Sequence, residues 1–232
     1  MQARLVDCRP DRAAYLAGHL PGAAYLAPES DLTGNEGGGR HPLPGAAAFA
    51  ASAGGAGIGP GTLVVAYDDG SGWAARLWWL LRHYGHDDAG VVDLRTWRGP
   101  LASGEERTAP AIFEARPRTD DLVFAEDLLP RLHDPSLTLV DARAPERWRG
   151  EIEPLDKVAG RIPGARNLYF QDPAPLSAEL LEADELVVYC GSGVTACVDV
   201  LALVQAGRPD TKLYAGSWSD WSSRGLPVET GP

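Results

Sequence analysis

The chain repeats itself, and that repetition limits the folds open to it. Leu5-Val6-Asp7-Cys8-Arg9 returns as Leu139-Val140-Asp141-Ala142-Arg143, and Gly18-His19-Leu20-Pro21-Gly22-Ala23 returns as Gly160-Arg161-Ile162-Pro163-Gly164-Ala165. Val65-Ala66-Tyr67-Asp68 matches Val187-Val188-Tyr189-Cys190, and Trp97 and Trp221 each stand shortly before an Arg-Gly or Ser-Arg-Gly turn. Four matches in one order mark an internal duplication, so the 232 residues must form two similar domains. The copies are unevenly spaced. Between its Pro-Gly-Ala and its buried strand the first carries roughly twenty extra residues, too many for a routine connection.

Within each copy, short apolar runs alternate with helical patterns. Leu63 to Ala66, Leu137 to Val140 and Leu186 to Tyr189 read as buried strands. Trp73 to Tyr84 reads as a helix ending at Gly85. Val194 to Ala206 reads as another, ending at Gly207, with Val194, Val198, Leu201 and Val204 on its inner face. Strand–helix alternation in units of this size implies an α/β fold, each domain a small, mainly parallel sheet with helices on both faces. Irregular sequence from Thr108 to Asp121 marks the boundary. The expected division is residues 1–112, a linker at 113–121, and residues 122–232.

A formal charge of −11 argues against a nucleic-acid partner and against an anionic membrane surface. Local arginines can still hold a small anion. Cys8, Cys190 and Cys197 are too few for a secreted disulfide scaffold, and free thiols imply a reducing compartment, so the expected location is cytoplasmic. No segment has membrane-spanning length, and the start lacks an apolar leader. Three scattered cysteines without paired-ligand spacing imply no zinc site, and no cofactor is expected.

The chemistry concentrates at Cys190-Gly191-Ser192-Gly193-Val194-Thr195, directly after the strand Leu186 to Tyr189. This places a thiol at the C-terminal end of a strand, on a glycine-rich loop that opens a helix. Such strand ends are where parallel sheets hold ligands. Loop N–H groups and the positive end of the helix favour negative charge, and the thiolate is the reactive form of cysteine. A buried structural cysteine before an ordinary turn is the plainer alternative. The two glycines and two hydroxyls around it favour a nucleophile.

Taken together, these residues resemble the tandem-domain sulfurtransferases, the rhodanese and 3-mercaptopyruvate sulfurtransferase family. The resemblance covers nearly the whole chain. Tyr15 to Leu26 looks like the family's N-terminal motif, and Tyr214-Ala215-Gly216-Ser217-Trp218-Ser219-Asp220-Trp221 like its C-terminal one. The loop Cys190 to Thr195 has the form typical of the mercaptopyruvate branch, since the thiosulfate branch usually has a basic residue where Ser192 stands. Asp68 at the matching position of the first copy fits a non-catalytic first domain and a catalytic second one.

The resemblance implies ping-pong transfer of sulfane sulfur. Cys190 takes sulfur from a small anionic donor, leaving a persulfide, and a thiophilic acceptor such as cyanide, a small thiol or thioredoxin removes it. The loop amides, through Gly191, Gly193, Val194 and Thr195, would hold the thiolate and the persulfide. Arg147 stands where the family places the arginine that grips the donor's carboxylate or sulfonate, a role suited to a guanidinium fork. Arg143 is expected to hold the loop by hydrogen bonds. The mercaptopyruvate branch also implies a Ser–His–acid relay, here Ser192, His41 and Glu29, with Asp31 as second choice for the acid. His41 and both acids lie in the extra segment Glu29 to Pro44, which would then reach across the domain interface. The glycine-rich run Gly34 to Gly39 fits equally a surface loop that leaves His41 exposed.

Some residues depart from the pattern. A second arginine usually follows the Glu-Pro that is here Glu153-Pro154, but Leu155 stands there, and Arg161 is a candidate for the missing charge. Cys197 reads as a small core residue rather than a resolving thiol. Trp78, Trp79 and Trp218 read as packing and interdomain surface rather than as substrate-stacking rings. A phosphatase on this architecture would need an arginine six residues after the cysteine, where Ala196 stands. Three functional readings remain: transfer from 3-mercaptopyruvate, transfer from thiosulfate, and a persulfide carrier or regulatory module with little turnover of small donors.

Overall fold

Each copy of the repeat becomes a parallel sheet. The computed structural model describes residues 3–172 and 176–232. It divides into two units, Met1–Glu36 with Leu43–Arg118, and Gly37–Pro42 with Thr119–Pro232. Six residues of the first copy's extra segment therefore fold with the second unit.

The first unit runs β1 (Arg4–Asp7), α1 (Arg12–Ala17), β2 (Ala24–Tyr25), α2 (Pro28–Asp31), α3 (Ala46–Gly55), β3 (Val64–Asp68), α4 (Trp73–His83) and β4 (Ala89–Asp93). Its strands pair in parallel in the order β2-β1-β3-β4. Helix α4 is buried along its whole length, Trp79 completely and Trp78 nearly so. That explains a helix with apolar residues on every side.

The second unit runs β5 (Leu122–Val123), α5 (Ala125–Leu128), β6 (Leu137–Asp141), α6 (Pro145–Trp148), β7 (Arg166–Asn167), α7 (Ala178–Leu181), β8 (Glu185–Tyr189), α8 (Ala196–Gln205), β9 (Lys212–Tyr214) and α9 (Ser217–Ser223). Its strands are also parallel, ordered β5-β9-β8-β6-β7. The expected α/β fold with two parallel sheets is what the chain forms. The core of this unit packs Leu139, Val187, Tyr189 and Tyr214 against Trp218 and Trp221.

The duplication extends to single hydrogen bonds. Asp7 takes the guanidinium of Arg9, whose Nη2 donates to Gly18 O at 2.7 Å. In the second unit Asp141 takes Arg143, whose Nη2 donates to Gly160 O at 2.6 Å. The Tyr67 hydroxyl accepts from Leu20 N at 3.1 Å, and the Tyr189 hydroxyl from Ile162 N at 3.1 Å. Glu106 accepts from Gly22 N, and Glu229 from Gly164 N. Each strand-end Asp-Arg pair thus closes the loop that follows it, so Leu-Val-Asp-x-Arg recurs for structural reasons.

Helix α8 corrects the expected inner face. Its buried residues are Ala196, Cys197, Asp199, Val200 and Leu203, while Val198, Leu201 and Val204 are only half-buried. The helix is apolar nearly all round, so period alone could not select its inward side. The selected side includes a carboxyl group.

Candidate active site

Strand β8 is buried from Leu186 to Tyr189 and delivers Cys190, itself 1% exposed, to the loop before α8. Gly193 adopts φ +79°, and a Cβ there would collide with Ala215 O. Only glycine fits. That turn brings the Gly193 N–H to 3.2 Å from Cys190 Sγ, as a donor to the sulfur. Val194 is buried and Thr195 half-buried at the N-cap of α8, their carbonyls accepting from Cys197 N and Val198 N.

The turn before α9 holds the loop from the other side. Cys190 N donates to Ser217 Oγ at 3.1 Å, and that hydroxyl donates to Tyr214 O at 3.0 Å. Trp218 N and Ser219 N donate to the carbonyls of Cys190 and Gly191, at 3.0 and 2.9 Å. Ser217 is fully buried at φ +55°, a left-handed conformation that costs about 1–2 kcal/mol in a residue with a Cβ. The buried bonds to the nucleophile's own amide offset that strain.

The segment Gly37–Pro42 supplies two side chains. His41 Nδ1 lies 2.7 Å from Ser192 Oγ, and Ser192 is 8% exposed. The glycines before it account for the close approach. A Cβ on Gly38 would strike the Asp220 carboxylate, and one on Gly39, at φ +85°, would strike Gly216 O. Arg40 N then donates to Ser219 Oγ at 3.0 Å, fixing the backbone beside His41.

Arginines gather over Gly191. A Cβ on Gly191 would lie 3.0 Å from Arg40 Nη2 and 3.5 Å from both terminal nitrogens of Arg147. Arg147 donates through Nε and Nη2 to the Glu153 carboxylate, at 3.3 and 2.6 Å. Arg40 pairs through Nη1 with Asp156. Burial alone would raise the pKa of Glu153, but the Arg147 hydrogen bond and the amides of Leu155 and Asp156 hold it below the ordinary carboxylate range. Arg143 is 2% exposed, held by Asp141, Glu153 and Gly160 O, with its guanidinium 4.8 Å from the Trp218 ring centre. It supports the loop from beneath.

Arg161 does not join them. It is 2% exposed, paired with Glu229, bonded to Gly231 O at 2.5 Å and stacked 3.9 Å over Trp148. The charge missing at Leu155 is therefore not replaced from Arg161, whose donors close the chain's final turn instead. Glu29 is exposed in the first turn of α2, in the first unit. Asp31, the alternative acid, accepts from Ala27 N at 2.7 Å and Ser52 Oγ at 2.9 Å, and so serves its own helix.

Asp68, the counterpart of Cys190, carries a carboxylate where the second unit has sulfur. Gly70 N donates to its Oδ1 and Ala74 N to its Oδ2, both at 2.9 Å. The first copy of the loop thus holds a fixed anion of its own. Sequence reasoning missed Arg40, Ser217 and Asp199. Arg40 adjoins His41 and could have been flagged by that adjacency, Ser217 lies inside the C-terminal motif Tyr214 to Trp221, and Asp199 carries no local signal. Asp199 sits on the buried face of α8, and burial, reinforced by the negative charges of Cys190 and Asp141, pushes its carboxyl well above the usual range. Cys197 is fully buried, with Sγ 3.3 Å from Gly193 O.

A rhodanese-like domain profile matches residues 1–95 and 124–224, one copy in each unit. The chain belongs to the rhodanese family. It is 41% identical to the "Probable 3-mercaptopyruvate sulfurtransferase" of Pseudomonas aeruginosa, over 98% of this chain and 92% of that protein. It is 38% identical to human 3-mercaptopyruvate sulfurtransferase, over 95% of this chain and 82% of that one. Among solved structures it is similar to SseA, a 3-mercaptopyruvate sulfotransferase from Escherichia coli. The TM-score there is 0.78 at 28% identity, covering 94% of this chain and 93% of that one. This rhodanese-family chain is accordingly a sulfurtransferase.

Proposed function

We propose that this chain transfers sulfane sulfur from 3-mercaptopyruvate to a thiophilic acceptor through a persulfide on Cys190. The Cys190 thiolate attacks the donor's thiol sulfur as the carbon–sulfur bond breaks. The bonding pair moves onto the former C3 as an enolate, and one proton delivered there gives pyruvate. The Gly193 N–H, 3.2 Å from Sγ, stabilises charge on the sulfur before and after the transfer. An acceptor thiolate or cyanide then attacks the outer sulfur, and its pair returns to Cys190.

The approach of His41 Nδ1 to Ser192 Oγ, at 2.7 Å, carries this reading. Sulfite, the leaving group of thiosulfate, departs as a stable anion and needs no proton. The enolate of pyruvate needs one at carbon, and a hydroxyl–imidazole pair two residues from the nucleophile can deliver it. Glu29 is the acid we assign to this relay, and Arg147 the group that orients the donor's carboxylate. Small thiols and thioredoxin-like proteins are the acceptors this chemistry suits. A reducing, cytoplasmic setting suits three free buried thiols, and among the described residues no helix is long and apolar enough to cross a membrane.

The test compares kcat/KM for 3-mercaptopyruvate and thiosulfate with cyanide as acceptor, measuring pyruvate, sulfite and thiocyanate. A preference for 3-mercaptopyruvate is expected. A preference for thiosulfate would replace this donor assignment, and negligible turnover of both would favour the persulfide-carrier reading.

A further inference from the structure

The two units repeat each other's hydrogen bonds, yet one face of the sheet is covered in the second and open in the first. In the second unit β5 adds to the outer edge of β9, with Leu122 and Val123 opposite Leu213 and Tyr214. Helix α5 follows, and Val123, Ala125 and Leu128 close a core that includes Tyr214 and Trp221. Among the described residues the first unit has no counterpart of β5 and α5, and β4 is the edge of its sheet. The equivalent cluster there is Leu20, Ala23 and Tyr67, with Leu5 and Leu94 only partly buried against it. Strand register makes Val91 the counterpart of Leu213, and so Val92 that of Tyr214. Val92 is 43% exposed and Tyr214 1%, while Trp97 is 47% exposed and its counterpart Trp221 0%.

The open face has a definite shape. Leu5, Leu20, Val65, Val92, Leu94 and Trp97 line a cleft of about 610 Å³ beside the edge of β4. An apolar face next to the N–H and C=O groups of an edge strand is where a further strand can add. The charge of a fitting cover is readable from the second unit as well. Its Arg224, in the Arg-Gly turn after Trp221, pairs with Glu126 in the first turn of α5. The matching residue in the first unit is Arg98, at the rim of the cleft. It donates through Nη1 to the carbonyls of Arg95 and Trp97, at 2.6 and 3.0 Å, and has no carboxylate partner among the described residues. Apolar face, strand edge and cation all suit one kind of segment.

We propose that this face of the first unit docks a partner protein through a strand–helix segment, apolar in its strand and acidic at the start of its helix. Two apolar residues of the segment extend the sheet in parallel beside β4, opposite Val91 and Val92, as Leu122 and Val123 do beside β9. The short helix after them covers Val92 and Trp97, and an acid in its first turn meets Arg98. Backbone pairing gives such a contact its affinity, while the apolar residues and the acid give it selectivity. A basic segment would be repelled by Arg98, and a wholly polar one would leave Val92 and Trp97 unburied. None of these residues belongs to the Cys190 loop, so docking does not depend on which sulfur donor the chain uses.

The probe is the segment Asp121–Arg131 of this chain, made as a fluorescein-labelled peptide, because it carries the chemistry that covers the equivalent face. Its binding to the full chain is followed by fluorescence anisotropy, and Val92→Asp and Arg98→Glu variants are checked for folding by thermal melting. Saturable binding to wild type is expected, weakened about 10-fold or more by Val92→Asp. Arg98→Glu should weaken it several-fold. A peptide with Glu126→Lys should recover binding to Arg98→Glu while binding wild type less well. Hydrogen exchange at the amides of β4 should slow in the wild type when the peptide is bound. No saturable binding to wild type, or binding that leaves exchange in β4 unchanged, would overturn the proposal. So would binding that either folded variant retains in full. A concentration-dependent dimer of the wild type that Val92→Asp dissociates would assign the face to a second copy of the chain and overturn it also.

Discussion

His41 Nδ1 and Ser192 Oγ lie 2.7 Å apart although 151 residues separate them in the chain. A contact of that length lets a proton move between a hydroxyl and an imidazole without any rearrangement of either. With 3-mercaptopyruvate, Ser192→Ala and His41→Gln should each lower kcat by about 10²-fold. Thiosulfate turnover should fall much less, because sulfite leaves unprotonated. Parallel steady-state assays with the two donors provide the check, and equal losses with both would remove the pair from proton delivery.

The Gly193 N–H bond to Cys190 Sγ depends on a left-handed backbone. Gly193→Ala introduces a Cβ at φ +79° against Ala215 O. The expected cost is about 1–2 kcal/mol from backbone conformation alone, with more from the collision. Persulfide formation should fall more steeply than stability, since the donor to sulfur is displaced. Denaturant unfolding paired with single-turnover kinetics separates the two effects.

Ser217 ties the Cys190 amide to the Tyr214 carbonyl. Ser217→Ala leaves a buried N–H and a buried C=O without that hydroxyl, at a cost of about 1–3 kcal/mol. Ser217→Gly relieves the positive φ yet loses both bonds, so it too should be less stable than wild type, by a smaller margin. Urea unfolding of the two variants tests the ranking.

Asp199 gives a pH signature. Its folded pKa is raised, by burial first and then by the charges of Cys190 and Asp141. Its contribution to stability is therefore full below the unfolded value of about 3.9 and is lost as pH rises through the folded pKa. Asp199→Asn removes that loss. The variant should gain thermal stability over wild type, the gain growing as pH rises from about 4 toward neutrality. Each kcal/mol appears as about 2–4 °C for a chain of this size. A difference in melting temperature that is flat with pH would contradict the assignment.

The fold was largely legible because duplication gives the same information twice. Leu137 to Val140 and Leu186 to Tyr189 were recognisable as buried strands, and they stand within β6 and β8. The loop at Cys190 was legible because its glycines and hydroxyls are contiguous. The inner face of α8 was not, since its apolar residues surround the helix and the buried side includes Asp199. Nor was Arg40. Its position follows from how closely Gly38 and Gly39 pack against the turn at Gly216–Asp220, a contact between distant segments that no local pattern encodes. Arg161 misled for the opposite reason, because a basic residue in a functional motif can spend its donors on structure, here Glu229, Gly231 O and the Trp148 ring.

The central claim is that Cys190 carries the sulfur. Incubating the protein with 3-mercaptopyruvate and no acceptor, then mapping peptides by mass spectrometry, tests it directly. The account predicts one added sulfur atom on the peptide containing Cys190, released as thiocyanate by cyanide and absent from Cys190→Ser. An unmodified Cys190, or cyanide-labile sulfur in the Cys190→Ser variant, would contradict it.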